Sequence, residues 1–288
     1  AGLCIIGRKG QSRTRQIIMT PVAEQFPVKR ITVTLDASES GRAPLETAVR
    51  LAAITGAELE GVFVEDINLM RLPGLPFLRE VRPWSLSGEE MSTQRMQREL
   101  RTLARRAEQM LERAARELGV SWSFQVWRGR AEAASLASAF GADILSLGRV
   151  SSLVSSRVFA TTRGIALHNR KADTSISVLF SDTQQGVRAV ATACSLAKDM
   201  NARLTVMLPA VALEEMQVLR EKAIAILKPH EQVARLVQIT GTDARSLVRA
   251  TGASGISILV TEAEHPLLQQ AGLDQCLEAL FCPVLLVR

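Results

Sequence analysis

One carboxylate and a cluster of hydroxyls stand where this chain could do chemistry. Ile31, Val33 and Leu35 alternate along a short apolar run that stops at Asp36, and Ser38 and Ser40 follow directly. An acid at the end of a buried strand, two residues before a hydroxyl, suits hydrogen bonding to a ligand or anchoring a helix start. It suits general-base work less well, because no titratable partner stands at a useful spacing. A second cluster runs from Gly148 and Arg149 through Ser151, Ser152, Ser155, Ser156 and Arg157 to Thr161 and Thr162. Its hydroxyl and guanidinium donors fit an anion. The 3 His and 4 Cys are scattered, with no CxxC, and no His has a Ser or Cys partner by spacing. That pattern argues against a zinc site, a disulfide framework or a nucleophilic triad. GxSxG, HExxH, Walker and kinase motifs are absent.

The elements that must position these groups follow from periodicity. Lys29 to Asp66 reads as strand, helix, strand: Leu45, Ala48, Val49 and Ala52 share one helical face, Pro44 falls in the first turn, and Gly56 closes the helix as a left-handed residue. Leu59, Val62, Phe63 and Val64 then open a strand too apolar to be solvated on either face. Such a βαβ unit belongs to a parallel sheet, and Asp36 falls at the carboxyl edge where open α/β sheets bind ligands. The segment 67–90 sets Leu69, Leu72, Phe77, Val81 and Trp84 among Pro73, Pro76 and Pro83. It serves either as a lid on its own domain or as a dimer or partner surface. Ser87 and Glu90 have capping-box spacing for a long helix running to Gly119. That helix carries a face of Arg interleaved with Glu, the pattern of a solvated face and not of a membrane-surface helix. Trp122 and Trp127 lie five residues apart on one strand, hence on opposite faces, which argues against a base-stacking platform.

Composition bounds the class. With 288 residues and 47% hydrophobic content the chain can bury two modest cores, and they are aliphatic because Tyr is absent. The net charge of +6 is concentrated at one end: residues 1–30 hold six bases against Glu24 alone. The body is nearly neutral, so the charge belongs to an arm, residues 1–27, and argues against a nucleic-acid partner. No apolar run reaches the ~18 residues of a membrane span, and no signal-peptide pattern opens the chain. Together with the unpaired cysteines this gives the expectation of a cytoplasmic protein without a membrane partner.

The sequence also repeats. An offset of 145 places Ala48, Leu51 and Ala52 over Ala193, Leu196 and Ala197, and Gly56 over Asn201, the other residue that tolerates a left-handed cap. An offset of 112 then places Gly129 over Gly241 and Ile144 over Ile256. The second copy is shorter by about 33 residues, missing where the first has its Pro-rich insert and long helix. Two tandem α/β units are expected, residues 28–174 with the insert 67–90, and residues 175–288. One strand is unaccounted for. Either the first sheet lacks its fifth strand or it recruits one, with Leu3 to Ile6 as the candidate.

Taken in order, these motifs resemble the universal stress protein family. The likeness rests on the strand ending in Asp36-Ala-Ser38-Glu-Ser40, the Ala-rich helix Ala43 to Ala52, the Gly129 segment, Ala142-Asp143-Ile144-Leu145-x-Leu147-Gly148, and the closing Cys282-Pro283-Val284-Leu285-Leu286-Val287. It covers the chain from about residue 28 to the end. It implies two tandem parallel-sheet α/β sandwich domains related by a pseudo-twofold, and a role in stress response or regulation through ligand and protein binding, non-catalytic. The family's nucleotide-binding members hold ATP near the first-strand Asp and on a loop Gly-x-x-Gly-x9-Gly-Ser/Thr. Carried over, the loop meets Gly148, Ser151 in place of the second glycine, Thr161 in place of the third, and Thr162. The site residues so implied are Asp36, Ser38, Gly148, Arg149, Ser151 and Thr162, for ATP or another adenine nucleotide as an alternative function of the first unit, nucleotide binding or weak hydrolysis. In the second unit Ser181 takes the Asp position, and the loop TEAEHPLL offers Glu262 and Glu264 but no glycine, so phosphate would be repelled. A protein partner or self-association is expected. A further alternative is a peripheral adaptor that docks the arm and the 67–90 insert on a membrane or partner.

Overall fold

The computed structural model describes residues 27–35, 41–66, 79–82, 85–90, 93–129, 141–147, 174–209, 212–239, 241, 244–254, 257–271, 280 and 282–288. The elements in chain order are β1 (Arg30–Leu35), α1 (Arg42–Thr55), β2 (Glu58–Asp66), β3 (Arg79–Arg82), β4 (Ser85–Glu90), α2 (Thr93–Leu118), β5 (Trp122–Gly129), β6 (Ile144–Leu147), β7 (Ser175–Leu179), α3 (Gln184–Asp199), β8 (Arg203–Pro209), α4 (Leu213–Leu227), β9 (Ala234–Ile239), α5 (Ala244–Ser254), β10 (Ile258–Glu262), α6 (Pro266–Ala271) and β11 (Val284–Val287). The fold is α/β. One sheet of nine strands runs β5-β2-β1-β6-β11-β10-β7-β8-β9, and β3 and β4 pair separately, antiparallel, inside the 67–90 insert.

Parallel pairing dominates because helical crossovers return each strand in the same direction. The sole antiparallel joint among the described strands of this sheet is β6 with β11, where Val284 faces Leu147 and Val287 faces Ile144. On its other side β11 runs parallel to β10. The strand missing from the first half of the sheet is therefore met by β11, which serves both halves. Leu3 to Ile6 lie outside the described residues.

Alternation along the strands separates two cores. Ile31, Val33, Ile176 and Val178 enter one, with Leu45, Leu51, Leu111, Leu196 and Leu219 from α1 to α4. Leu145, Leu147, Leu179 and Met207 enter the other, with Leu247 from α5 and Leu267 and Leu268 from α6. Trp122 packs against the first core and Trp127 against the second, as their five-residue spacing predicts.

Local signals are met where backbone stereochemistry dictates them. Gly56 closes α1 at φ 70°, and Asn201 follows α3 at φ 47°. Ser87 and Glu90 do not cap the long helix: both lie in β4, and α2 begins at Thr93. Extended pairing with β3 claims the backbone that the capping box would have turned. The outer face of α2 is solvent-exposed at Arg98, Arg101, Arg105, Arg106, Arg113 and Arg116, and Arg116 bonds Glu112 one turn back at 2.6 Å.

Strand register in the two halves of the sheet can be set side by side. Arg30 pairs with Glu58 in one half and Ser175 with Arg203 in the other, both displaced by 145 residues. Leu59 pairs with Trp122 and Leu204 with Ala234, so the third strands are displaced by 112. The fourth strands differ from expectation. Ile31 pairs with Ile144, and Ile176 pairs with Ile258, a displacement of 114 and not the 112 that sets Ile144 over Ile256. The two extra residues fall between β9 and β10, where the identity of Ile144 with Ile256 pointed to the wrong register.

Candidate functional site

β1 and β6 are parallel neighbours, so Leu35 and Leu147 end at one edge of the sheet. Asp36 and Ser38 follow the first strand; Gly148, Arg149 and Ser151 follow the second. These five residues and Thr162 lie outside the described residues. What the structure describes is the framework below them. Ser146 on β6 is fully buried and donates to the Pro44 carbonyl in the first turn of α1 at 3.0 Å. Asp143, part of the motif on which the resemblance rests, works at the opposite edge: its Oδ2 accepts from the Lys29 and Arg30 backbone N–H groups at 2.7 and 3.0 Å. That acid ties β6 to the start of β1.

The matching edge of the second half is described, and it is filled. Corrected register places Glu262 where the first half has Gly148, and Ser181 where it has Asp36. Glu262 is 3% exposed. Its Oε1 accepts the Ser181 hydroxyl at 2.5 Å, and its Oε2 accepts the Thr183 hydroxyl. Thr183 is the N-cap of α3, and its Oγ1 also accepts from the Gly186 backbone N–H at 2.8 Å. The two hydroxyl oxygens lie 3.1 Å apart. A buried acceptor with two oxygens is thus satisfied by two donors, one of which links it to the positive end of α3. Gly186 permits this closeness, since a Cβ there would collide with the Ser181 carbonyl.

His265 lies one turn beyond. It is 2% exposed and precedes Pro266, the first residue of α6. Its Nδ1 accepts from the Leu267 backbone N–H at 3.1 Å, a cap made by a ring nitrogen. The proton of the neutral ring therefore sits on Nε2, which has no hydrogen-bond partner among the described residues. Burial pulls this imidazole below its ordinary pKa, opposed by the Glu262 charge and the Phe180 backbone.

This wiring defines what the cluster can do. Ser181 donates a hydrogen bond to the Glu262 carboxylate, and the His265 imidazole spends its acceptor nitrogen on the N-terminus of α6. His265 therefore has no free acceptor nitrogen for Ser181, and no Ser–His nucleophile pair forms among the described residues. Asp182, next to Ser181, instead forms an exposed ion pair with Lys222 of α4. Cys194 and Cys282 are buried thiols pushed up to about 12 by desolvation, which makes them inert. Cys4 and Cys276 lie outside the described residues. No group of three or more His, Cys, Asp or Glu among the described residues could hold a metal, and no described helix is long and apolar enough to cross a membrane.

Sequence reasoning placed Ser181 and Glu262 at this edge but took Glu262 only as a charge that repels phosphate. It missed the hydrogen bonds to Ser181 and Thr183, and it missed His265. Aligning the hydrophobic centres of β6 and β10, in place of their identities, would have set Glu262 over Gly148 and exposed the exchange.

No protein-family model matches this sequence, and no curated protein matches it. Solved structures are similar in outline. A universal stress protein from Archaeoglobus fulgidus DSM 4304 is 10% identical with a TM-score of 0.49, over 90% of this chain and 96% of its own. A universal stress protein solved in complex with cAMP is 15% identical with a TM-score of 0.34, over 40% of this chain and 97% of its own. The cytoplasmic domain of a prokaryotic cation chloride cotransporter is 9% identical with a TM-score of 0.41, over 91% of this chain and 95% of its own. All three scores lie below one half, so the fold rests on the strand order and register above, and chemistry must be argued from the residues.

Proposed function

We propose that the chain is a tandem universal-stress-like protein that acts in stress response or regulation by binding a ligand and proteins, and not by catalysis. Its units are residues 28–174 and 175–288, with 1–27 as a basic arm. The ligand edge belongs to the first unit, at Asp36, Ser38, Gly148, Arg149, Ser151 and Thr162, and the ligand class is an adenine nucleotide. The second unit is scaffold.

The observation that carries this reading is the Glu262 carboxylate, held by Ser181 and Thr183 in the register position of Gly148. An anionic group placed there would meet a buried carboxylate whose donors are already taken, at a cost that grows as water is excluded. A duplicated fold in which one edge is closed by its own side chain has a single edge left for a ligand. Isothermal titration with ATP, ADP and AMP tests it. The expected result is one nucleotide per chain, lost in Asp36→Ala and unchanged in Ser181→Ala. Two equivalents per chain, or nucleotide hydrolysis that disappears in Asp36→Ala, would overturn it. Absence of all nucleotide binding would remove the ligand class, and mass spectrometry of co-purified small molecules would then name another.

A further inference from the structure

The seam between α1 and α3 is built differently on the two sides of its midpoint. The helices run antiparallel, because β1 and β7 lie on opposite sides of the antiparallel β6–β11 joint. On one side Arg50 of α1 pairs with Asp199 of α3 at 3.6 Å. Counterpart positions in the two halves of the sheet lie 145 apart, as Arg30 and Ser175 do in strand register. The counterpart of Arg50 is therefore Ser195, and that of Asp199 is Ile54. An ion pair on one side is replaced on the other by a hydroxyl and an aliphatic side chain, and both of these line a cleft of about 60 Å³. Such a volume holds roughly four waters, the bulk of a small amino acid.

The cleft carries both signs of charge beside an apolar wall. Leu51 and Ile54 of α1 and Ala191 of α3 supply the wall. Asp143, just ahead of β6, supplies a carboxylate: its Oδ2 accepts from the Lys29 and Arg30 backbone N–H groups, and its Oδ1 has no hydrogen bond among the described residues. Arg188 lines the cleft from α3 and donates from Nη1 to the Arg288 carbonyl at 3.0 Å. A guanidinium with its fork of N–H donors can hold a carbonyl and a carboxylate together. Thr192 follows one turn later on the same helix face. It is 9% exposed, and its hydroxyl has no hydrogen bond among the described residues. A buried hydroxyl left without a partner is costly, and this one borders the cleft.

We propose that this cleft binds a small aliphatic amino acid as its zwitterion. The ligand carboxylate is held by Arg188 and the Thr192 hydroxyl, its ammonium group by Asp143, and its side chain lies against Leu51 and Ile54. The mixture of charges selects this chemistry. A plain anion would meet the Asp143 carboxylate, and a plain cation would meet the Arg188 guanidinium, whereas a zwitterion satisfies both. A few convergent polar groups over an apolar wall are the usual makings of a small-molecule site, and the volume limits the side chain to a short one. The cleft lies where β1 and β6 begin, at the opposite edge of the sheet from Asp36 and Gly148, so this inference does not depend on nucleotide binding there.

Isothermal titration of the full chain with L-alanine tests the site, and one equivalent is expected to bind. Propionate lacks the ammonium group and ethylamine lacks the carboxylate, so each should bind about tenfold more weakly or worse. Glycine should also be weaker, because it leaves Leu51 and Ile54 uncovered. Arg188→Gln is expected to weaken alanine about tenfold, and Thr192→Val, which keeps the shape and removes the hydroxyl, about fivefold. Ile54→Asp combined with Ser195→Arg copies the Arg50–Asp199 pair into the cleft and should abolish binding while the thermal melt stays cooperative. Failure of alanine to bind, propionate or ethylamine binding as tightly as alanine, binding indifferent to Arg188→Gln and Thr192→Val, or binding retained in the double variant would overturn the proposal.

Discussion

The two halves of the sheet share their innermost unit and part company outside it. β1-α1-β2 and β7-α3-β8 keep the same register residue for residue, down to a left-handed residue after each helix. At the next layer they diverge. In the first half Gly61 lies under α2, and a Cβ on it would meet Leu111 Cδ2 at 2.5 Å. In the second half Val206 stands at that register position, fully buried, under the shorter α4. One half fills the space from the helix and the other fills it from the strand. A row on the opposite sheet face differs as well: Thr32, Glu60 and Gln125 form a hydrogen-bonded ladder at 3.0 and 2.8 Å. Its counterpart is Ser177, Thr205 and Val237, where the Ser177 hydroxyl has no partner among the described residues. What the two halves of the sheet share is the register of the central βαβ unit, because slipping it would turn every buried side chain over. Volume and polarity around that unit are free to be redistributed between strand and helix.

If the glycine and valine really are alternative ways of filling one space, the largest effect should come from emptying it. Leu111→Ala is expected to cost about 3 kcal/mol in chemical denaturation, since Leu111 is fully buried in the first core. Gly61→Val alone should cost about 2 kcal/mol, because it imports the second half's solution beneath a leucine that already occupies the volume. Combining the two should cost clearly less than their sum, a coupling that double-mutant analysis reads directly. Strict additivity would mean that the two halves do not exchange volume in this way.

A smaller loss is expected at the edge. Glu262→Gln replaces one of two acceptor oxygens with a donor, leaving Ser181 or Thr183 unpaired, and should cost about 1–2 kcal/mol. Placing that substitution in a Thr183→Ala background should cost less, since part of the network is then already gone. Equal costs in both backgrounds would show that the carboxylate is not held as described.

Much of this architecture was legible because it follows from short-range rules. The period of Leu45, Ala48, Val49 and Ala52 fixes a helix face, and Gly56 fixes its end, whatever surrounds them. The start of α2 was not legible, because Ser87 and Glu90 satisfy a capping pattern that pairing with β3 overrides. Sharing of β11 was not legible either, since which strand fills an empty edge depends on contacts between residues over a hundred positions apart. Asp143 shows a third limit. Its backbone cap on Lys29 and Arg30 is a structural duty that sequence spacing cannot distinguish from a motif kept for a ligand. Glu262 was visible as a charge and invisible as an acceptor, because its donors lie 79 and 81 residues away in the chain.

The smallest expected effect is the one most specific to the second half. His265 has its pKa lowered from 6.5 by burial, so the unfolded chain takes up this proton more readily than the folded one. Stability should therefore be constant above that value and fall as the pH drops below it, levelling off once the folded ring is protonated too. The structural reason is the cap: protonation at Nδ1 would face the Leu267 N–H with a second donor and place a cation in a buried site. Asparagine offers a neutral oxygen that caps a helix at any pH. In His265→Asn the melting temperature is expected to stay near that of the wild type at pH 8 and to lose part of its decline below pH 6.5. An unaltered decline below that value would show that the ring nitrogen does not cap α6, and would separate the His265 turn from the closed edge formed by Glu262.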